Sequence, residues 1–97
     1  MAATVYVVAR YIAKQGKEDA LKAVLLALVA PTRREIGCFL YDLLSNPHDP
    51  REFCFVERWD GEKSLDQHGE TEHLKSTISK VEGLVEVPPD IRRYHIL

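Results

Sequence analysis

Residues 38–44 read CFLYDLL and residues 53–59 read FCFVERW, and these two stretches decide the fold. Both combine aromatic and branched apolar side chains, which favour β-strands. Residues 46–51, between them, read NPHDPR and supply the Asn, Asp and Pro that favour a turn. The sequence therefore predicts an antiparallel hairpin in which strand 38–45 pairs with strand 52–59.

The residues before the hairpin predict a strand and a helix. Residues 4–13 carry apolar side chains in both alternating sets, so both faces of this strand should be covered. Apolar residues then recur at helical spacing from Leu21 to Val29. Pro31 has no backbone N–H, so the helix should kink or restart there, and Gly37 should end it.

The residues after the hairpin predict two helices and a final strand. Asp60 is a candidate N-cap for a helix over 62–68, and Thr71 is a candidate N-cap for a second helix after the break at Gly69. Residues 91–97 complete the order β-α-β-β-α-β. This order is that of the α+β, ferredoxin-like arrangement, a four-stranded antiparallel sheet with helices on one face.

Composition excludes several classes of protein. Residues 1–97 are expected to form a single domain with a net charge of -2 and no basic patch for nucleic acid. No apolar run approaches the roughly 20 residues that cross a bilayer, and the first residues do not resemble a signal peptide. A cytoplasmic protein is expected, and in that compartment Cys38 and Cys54 should be free, buried thiols.

The face of the sheet that the helices leave open should bind a second copy of the chain. The first strand is apolar on both faces, and the hairpin places Phe39, Tyr41 and Val56 on the face away from Trp59. An exposed apolar face of this size usually marks an interface. The simplest closure is a homodimer with the two sheets packed face to face.

The hairpin register predicts which side chains share a face. With the turn centred on His48 and Asp49, Cys38 lies opposite Trp59, and residues opposite each other point the same way. A one-residue slip or a bulge would reassign the faces. In this register the face that holds the candidate site carries Cys38, Leu40, Asp42, Leu44, Phe53, Phe55, Glu57 and Trp59.

Acids on an apolar face are candidate site residues because buried carboxylates need partners or a raised pKa. Glu57 and Asp42 are such acids, with Trp59 beside them. Plainer roles are open for all three: Trp59 can pack in the core, Glu57 can pair with an arginine, and Asp42 can cap or pair locally.

His68 is the best proton acceptor in the chain. It follows Leu65 by about one helical turn, so it should lie near the inward face, and its imidazole titrates near neutral pH. A hydrogen-bonded core histidine is the plainer interpretation. His73 would lie about 140° away on a continuous helix, too far to share a metal ion with His68. No metal site is therefore predicted.

The sequence resembles the antibiotic biosynthesis monooxygenase family, in its small quinol monooxygenase branch. The resemblance covers nearly the whole chain and is carried by short motifs in a fixed order. These are Gly16-Lys17, Ala30-Pro31-Thr32-Arg33, Glu35-x-Gly37-Cys38-x-x-Tyr41-Asp42-Leu43, Phe53-x-Phe55-x-Glu57-x-Trp59, Leu65-x-x-His68, His73 and Pro88-Pro89-x-Ile91-Arg92.

The resemblance implies a dimeric α+β barrel and a cofactor-independent enzyme that oxidises a small hydroquinone or polyphenol with dioxygen. It implies His68 as base or proton relay and Trp59 as the wall against which the substrate ring packs. Glu57 and Asp42 would orient His68 or a substrate hydroxyl, and His73 would lie at the rim. Phe55 and Leu40, on the same predicted face, complete the substrate-binding set.

Two other functions stay open. The family also includes isomerases of phosphorylated signalling sugars, so an isomerase or lyase of a small oxygenated metabolite is the first alternative. A non-enzymatic dimeric module that binds a small ligand is the second. Haem degradation is disfavoured, because that branch of the superfamily uses an Asn on the first strand and residues 7–11 contain none.

Overall fold

The computed structural model describes residues 3–97. In chain order, its strands and helices are β1 (Val5–Ile12), α1 (Glu18–Leu26), α2 (Val29–Arg33), β2 (Cys38–Asn46), β3 (Asp49–Trp59), α3 (Glu62–Gly69), α4 (Glu72–Val81) and β4 (Asp90–Tyr94). The predicted order of strands and helices is confirmed. The last strand is shorter than the predicted 91–97.

The four strands form one antiparallel sheet in the order β2-β3-β1-β4. This is the predicted ferredoxin-like α+β fold. Every second residue of β1 is buried, and so is every second residue of β3 from Phe53 to Trp59. Apart from Glu57, these residues form the core with apolar residues of the helices and of the α1–α2 junction, namely Leu21, Leu25, Leu28, Leu65 and Val81.

Residues near the helix ends explain where the helices begin and end. The first helical segment stops before Pro31, and α2 restarts with that proline inside its first turn, as predicted. Thr71 caps α4 by accepting a hydrogen bond from the backbone N–H of Leu74. The prediction for Asp60 is wrong: Gly61 occupies the N-cap position of α3, and no side chain caps this helix.

Gly37 makes the turn that leads into β2. Its φ is +88°, in the left-handed region that glycine enters without steric cost. A Cβ at this position would collide with the side chains of Ser64 and Asp60. The backbone N–H of Asp60 donates to the Gly37 carbonyl at 2.8 Å, so the start of β2 is held against the end of β3.

A bulge near the start of β2 changes the predicted faces. Cys38 lies opposite Trp59 as predicted, but the register then shifts by one residue, so Leu40 lies opposite Arg58 and Tyr41 opposite Glu57. Such a shift moves every following side chain of the strand to the other face.

The predicted placements of four β2 residues, Leu40, Tyr41, Asp42 and Leu44, are consequently wrong. Tyr41 is buried with Phe55 in the core instead of facing away from it. Leu40 and Asp42 lie on the face that the helices leave open, and the Asp42 carboxylate pairs with Arg33 at 3.1 Å. Phe39 is exposed, and its ring lies 5.2 Å from the Arg58 guanidinium.

Cys38 and Cys54 are free thiols, as predicted, and both are half-buried instead of fully buried. Burial raises the pKa of each thiol, that of Cys38 to about 11. Neither thiol is therefore activated as a nucleophile. Among the helices of the described chain, none has the length and apolar character needed to span a bilayer.

Candidate active site

A small cavity lies between the covered face of the sheet and helices α3 and α4. Its volume is about 160 Å³. Aromatic and aliphatic side chains form most of the wall, and a few polar groups converge on it. The lining residues are Val7, Ala9, Tyr11, Tyr41, Phe55, Glu57, Leu65, His68, Gly69, Leu74, Ile91 and Arg93.

His68 is held in one orientation by Glu35. Its side chain is only 5% exposed, and its Nδ1 lies 2.8 Å from Oε2 of Glu35. A carboxylate only accepts hydrogen bonds, so Nδ1 carries the proton and donates it to this contact. In the neutral ring Nε2 is then an unprotonated acceptor. Burial lowers the pKa of His68, and the hydrogen bond and charge of Glu35 partly oppose that shift.

His73 contacts the same carboxylate oxygen. Its Nε2 lies 2.7 Å from Oε2 of Glu35, and the two imidazole centroids are 6.2 Å apart. The sequence predicted that His68 and His73 would lie about 140° apart on a continuous helix, too far to share a metal ion. That angle does not apply, because α3 ends at Gly69, α4 begins after the Thr71 cap, and both imidazoles reach one carboxylate oxygen.

The three side chains Glu35, His68 and His73 also form a candidate metal-binding group. Their ligand atoms lie within 4.8 Å of one another. In a tetrahedral site with metal–nitrogen distances of about 2.0–2.1 Å, neighbouring ligand atoms are about 3.3 Å apart. The observed separations of 2.7 and 2.8 Å are shorter and are those of hydrogen bonds. A metal ion could bind only after the ligands moved apart and each neutral imidazole carried its proton on the other ring nitrogen.

Glu57 is the second carboxylate of the site. It is 4% exposed, and its Oε1 accepts a hydrogen bond of 2.9 Å from Nε1 of Trp59. Burial raises the pKa of Glu57 to about 7, the Trp59 hydrogen bond opposes this, and the charge of Glu35 adds to it. Glu57 can therefore hold or release a proton near neutral pH.

Aromatic rings surround His68 on several sides. The Trp59 centroid lies 4.8 Å from the imidazole centroid, and Tyr41 meets the imidazole edge-on at 5.7 Å. Tyr41 in turn stacks on Phe55 at 4.7 Å. Burial raises the pKa of the Tyr41 hydroxyl and raises that of Tyr11 to about 12. Both phenols are therefore neutral hydrogen-bonding groups at the cavity.

Arg93 lines the cavity, and its positive charge is already paired with two carboxylates. It reaches from β4 to two carboxylates on α3, contacting Glu62 through Nη1 and Asp66 through Nη2 at 3.0 Å. The guanidinium therefore closes one side of the cavity without presenting an unpaired positive charge to a ligand.

The structure brings only some of the predicted site residues to the cavity. His68, Glu57 and Phe55 line it. Trp59 is fully buried behind His68 and Glu57, so it supports these two side chains instead of forming the wall itself. His73 contacts Glu35 and is not among the residues that line the cavity. The lining residues do not include Leu40 or Asp42, which face the opposite side of the sheet.

Sequence reasoning missed the roles of Glu35 and Tyr41. Glu35 lies in the turn before β2 and is 33 residues from His68, so no local spacing connects them. The sequence signal that could have identified Glu35 was the position of this acid two residues before the turn at Gly37. Tyr41 was missed because the bulge reverses its face.

Comparison with known proteins agrees with the fold. Residues 4–80 match the model of the antibiotic biosynthesis monooxygenase family. The chain is 34% identical over 88 residues to a Mycobacterium tuberculosis protein named "Putative monooxygenase Rv0793", covering 91% of this chain and 86% of the relative. It is 30% identical over 80 residues to a Bacillus subtilis protein named "Putative monooxygenase YcnE", covering 82% and 84%.

The solved structures give the same result. The crystal structure of PA3566 from Pseudomonas aeruginosa superposes with a TM-score of 0.94 at 34% identity, over 100% of this chain and 97% of the other. The names of the family and of the two relatives support a monooxygenase-type function, that of an oxidoreductase. The chain belongs to the antibiotic biosynthesis monooxygenase family.

Proposed function

We propose that the protein is a cofactor-independent monooxygenase that oxidises a small hydroquinone or polyphenol with dioxygen. The observation that carries the proposal is His68, which lines a ring-sized cavity and is fixed by Glu35 through Nδ1, so that the Nε2 lone pair of the neutral ring is available as an acceptor. An apolar cavity of about 150 Å³ is enough to bind benzene. The 160 Å³ found here therefore suits one aromatic ring.

The first step is removal of a proton from a substrate hydroxyl. With Nδ1 donating to Glu35, the Nε2 lone pair of His68 accepts this proton. The imidazolium that forms is stabilised by the Glu35 carboxylate beside it. Glu57, with its pKa near 7, is the second group that can accept a proton or hydrogen-bond the other hydroxyl of the ring.

The substrate supplies all the electrons for the oxidation. The hydroquinone anion passes one electron to dioxygen, giving a semiquinone and superoxide. These combine at a ring carbon that carries hydrogen, forming a hydroperoxide. The O–O bond breaks, the ring carbon loses its hydrogen, and water leaves. One hydroquinone and one dioxygen thus give one hydroxyquinone and one water, and no external reductant is consumed.

The matched charge of Arg93 argues against the phosphosugar type of isomerase. A phosphate needs unpaired donors such as arginine or lysine. Among the described lining residues, Arg93 is the one Lys or Arg side chain, and two carboxylates already contact it. An isomerase or lyase of an uncharged metabolite is the remaining enzymatic alternative, and activity that persists without oxygen would favour it.

The open cavity also bears on the non-enzymatic alternative. A module that only binds a small ligand needs an open cavity too, but it needs no base or acid in the cavity wall. Here the cavity has a volume of about 160 Å³ and meets a base, an acid and two phenols. Perturbed titratable groups in a cleft favour catalysis over simple packing.

Oxygen uptake with a panel of hydroquinones tests the proposal. We expect uptake with a matching yield of hydroxyquinone, and His68→Ala should slow it by about 100-fold if His68 is the base. His48→Ala, at an exposed histidine in the hairpin turn, is the matched control and should leave the rate unchanged. Equal rates for His68→Ala and the native chain would remove His68 from the mechanism.

We further propose that the protein acts as a homodimer. The open face of the sheet exposes apolar side chains, among them Val8, Leu44 and Phe39, and none of the helices in residues 3–97 covers this face. Packing it against a second copy would bury these side chains. Analytical ultracentrifugation should give twice the chain mass, and Val8→Asp should give the monomer. A native chain that sediments as a monomer would contradict the proposal.

A further inference from the structure

A second, larger cavity lies next to the ring-sized one. Its volume is about 610 Å³. Residues of α4 line one side, and residues of the segment 82–91 line the other. Tyr11 and Ile91 line both cavities, so the two share a boundary. We call the larger one the outer groove and the smaller one the inner cavity.

The connection between α4 and β4 builds the outer groove. The backbone N–H of Lys14 donates to the Leu84 carbonyl at 2.9 Å, and the N–H of Glu86 donates to the Ile12 carbonyl at 2.8 Å. These bonds fix the segment beside the end of β1. The Pro88–Pro89 pair that follows has no backbone N–H and cannot extend this pairing. The chain therefore spans an open, apolar depression before β4 begins.

Apolar side chains remain exposed along this groove. Ile78 on α4 is 60% exposed, Val87 is 51% exposed, and Ile91 is 58% exposed although it lies on the helix side of β4. Their contact area is available to an apolar group. The charged side chains that line the groove are two carboxylates, Glu82 and Glu86, which would repel an anion.

We propose that the outer groove binds a neutral apolar side chain of the substrate whose ring occupies the inner cavity. The substrate class is then a single-ring hydroquinone with an alkyl or prenyl substituent. This inference rests on the proposed function. Small-molecule sites usually measure about 300–1,000 Å³. The inner cavity alone is smaller than this range and the outer groove lies within it, so a complete site needs both.

Each part of such a substrate contacts a different set of residues. The ring hydroxyls meet the polar groups of the inner cavity, His68 and Glu57. The side chain passes the shared residues, Tyr11 and Ile91, and lies along Ile78 on α4. A chain ending in a carboxylate would meet the acids of the groove and should lose the benefit of its length.

Anaerobic titration with hydroquinone and its 2-n-alkyl homologues tests the inference without turnover. Isothermal titration calorimetry gives the Kd, and quenching of Trp59, the single tryptophan, gives an independent readout. We expect the Kd to fall about fourfold for each methylene that enters the groove, until the chain outgrows it. Hydroquinone that binds with a Kd unaffected by chain length overturns the inference and leaves the proposed function standing. Failure of every compound to bind overturns both.

A matched pair of variants separates binding in the groove from unspecific adsorption of long alkyl chains. Ile78→Asp places a charge in the groove, and Leu26→Asp makes the same change at a similarly exposed position on α1, 50% exposed and outside the groove. We expect the dependence of Kd on chain length to fall below about twofold per methylene in Ile78→Asp. It should stay fourfold in Leu26→Asp. Equal dependence in both variants overturns the inference.

Discussion

Glu57 and Asp42 lie on neighbouring strands of one hairpin, yet the sheet gives them opposite environments. Glu57 faces the helices, is 4% exposed and has a pKa raised to about 7 by burial. Asp42 faces the open side, with its side chain 47% exposed and paired with Arg33. The same chemical group has a pKa near neutrality on one face and is a surface ion-pair partner on the other. The face, and not the residue type, determines the role.

Glu35 is a third carboxylate with its own environment. It lies in a turn and not in a strand, and its side chain reaches the helix side of the sheet. Its carboxylate is 13% exposed and accepts hydrogen bonds from two imidazoles, whereas Glu57 accepts one from an indole. Glu35 is thus placed to hold a positive charge on His68. Glu57, without a cationic partner, is favoured in its neutral form. One acid is paired with two imidazoles, while the other is buried and has its pKa raised to about 7.

The largest expected effect is on stability, through Glu57. Its folded-state pKa lies above its ordinary value of 4.5, so the folded protein binds the extra proton. The stabilisation is complete below pH 4.5 and is lost as the pH rises through about 7. The loss at pH 8 is on the order of 3 kcal/mol. Glu57→Gln keeps the acceptor for Trp59 and should unfold at higher denaturant concentration than the native chain at pH 8, with little difference at pH 4.

Glu52 on the same strand provides the control for that measurement. Its contact with Arg10 lowers the pKa of Glu52, so this side chain is stabilised in its charged form. Glu52→Gln should therefore give no gain in stability at pH 8. Denaturant unfolding of both variants across pH separates the two carboxylates. A gain from Glu57→Gln that is equal at pH 4 and pH 8 would contradict the role of burial.

The second effect is on catalysis, through Glu35. Glu35→Gln removes the charge that stabilises protonated His68, so turnover should fall roughly tenfold to hundredfold with little change in KM. Glu35 raises the pKa of His68 against the effect of burial. Without it, the acidic limb of the pH–rate profile should move to lower pH. Glu35→Asp should recover part of the rate.

A purely structural role for Glu35 makes a different prediction. It would lower the amount of folded enzyme without moving the pH profile, and circular dichroism of the same samples would show the loss. Glu70→Gln, at an exposed acid beyond the end of α3, is the matched control and should change neither the rate nor the profile. An unmoved acidic limb in Glu35→Gln would show that Glu35 does not act through His68.

The sequence was sufficient for the fold because its signals are local. Alternation in β3, the helical spacing after Glu18 and the breaks at Pro31 and Gly69 each follow from a few neighbouring residues. In β2, by contrast, Cys38 to Leu44 is apolar at almost every position, so alternation cannot identify the buried face. The assignment depended on extending the Cys38–Trp59 pair along the strand, and the bulge made that extension wrong.

Sequence patterns predicted only those site residues that lie on β3 and α3. Glu57 and His68 follow from the alternation of one strand and the turn of one helix. Glu35 comes from a turn that Gly37 allows, and His73 turns toward it because the helix breaks before Thr71. These contacts depend on how separate elements pack. A single sequence contains no periodicity that reports such contacts.

The smallest effect should come from Asp42, on the open face. Its ion pair with Arg33 has side chains 47% and 55% exposed, and such pairs contribute about 0.2–1 kcal/mol, less at high salt. Asp42→Asn should therefore lower the free energy of unfolding by no more than this and leave oxygen uptake within about twofold of the native rate. Steady-state uptake measured beside Glu57→Gln makes the comparison direct. A tenfold loss of turnover in Asp42→Asn would place Asp42 back in the site, because an exposed ion pair on the far face of the sheet offers no physical route to such a loss.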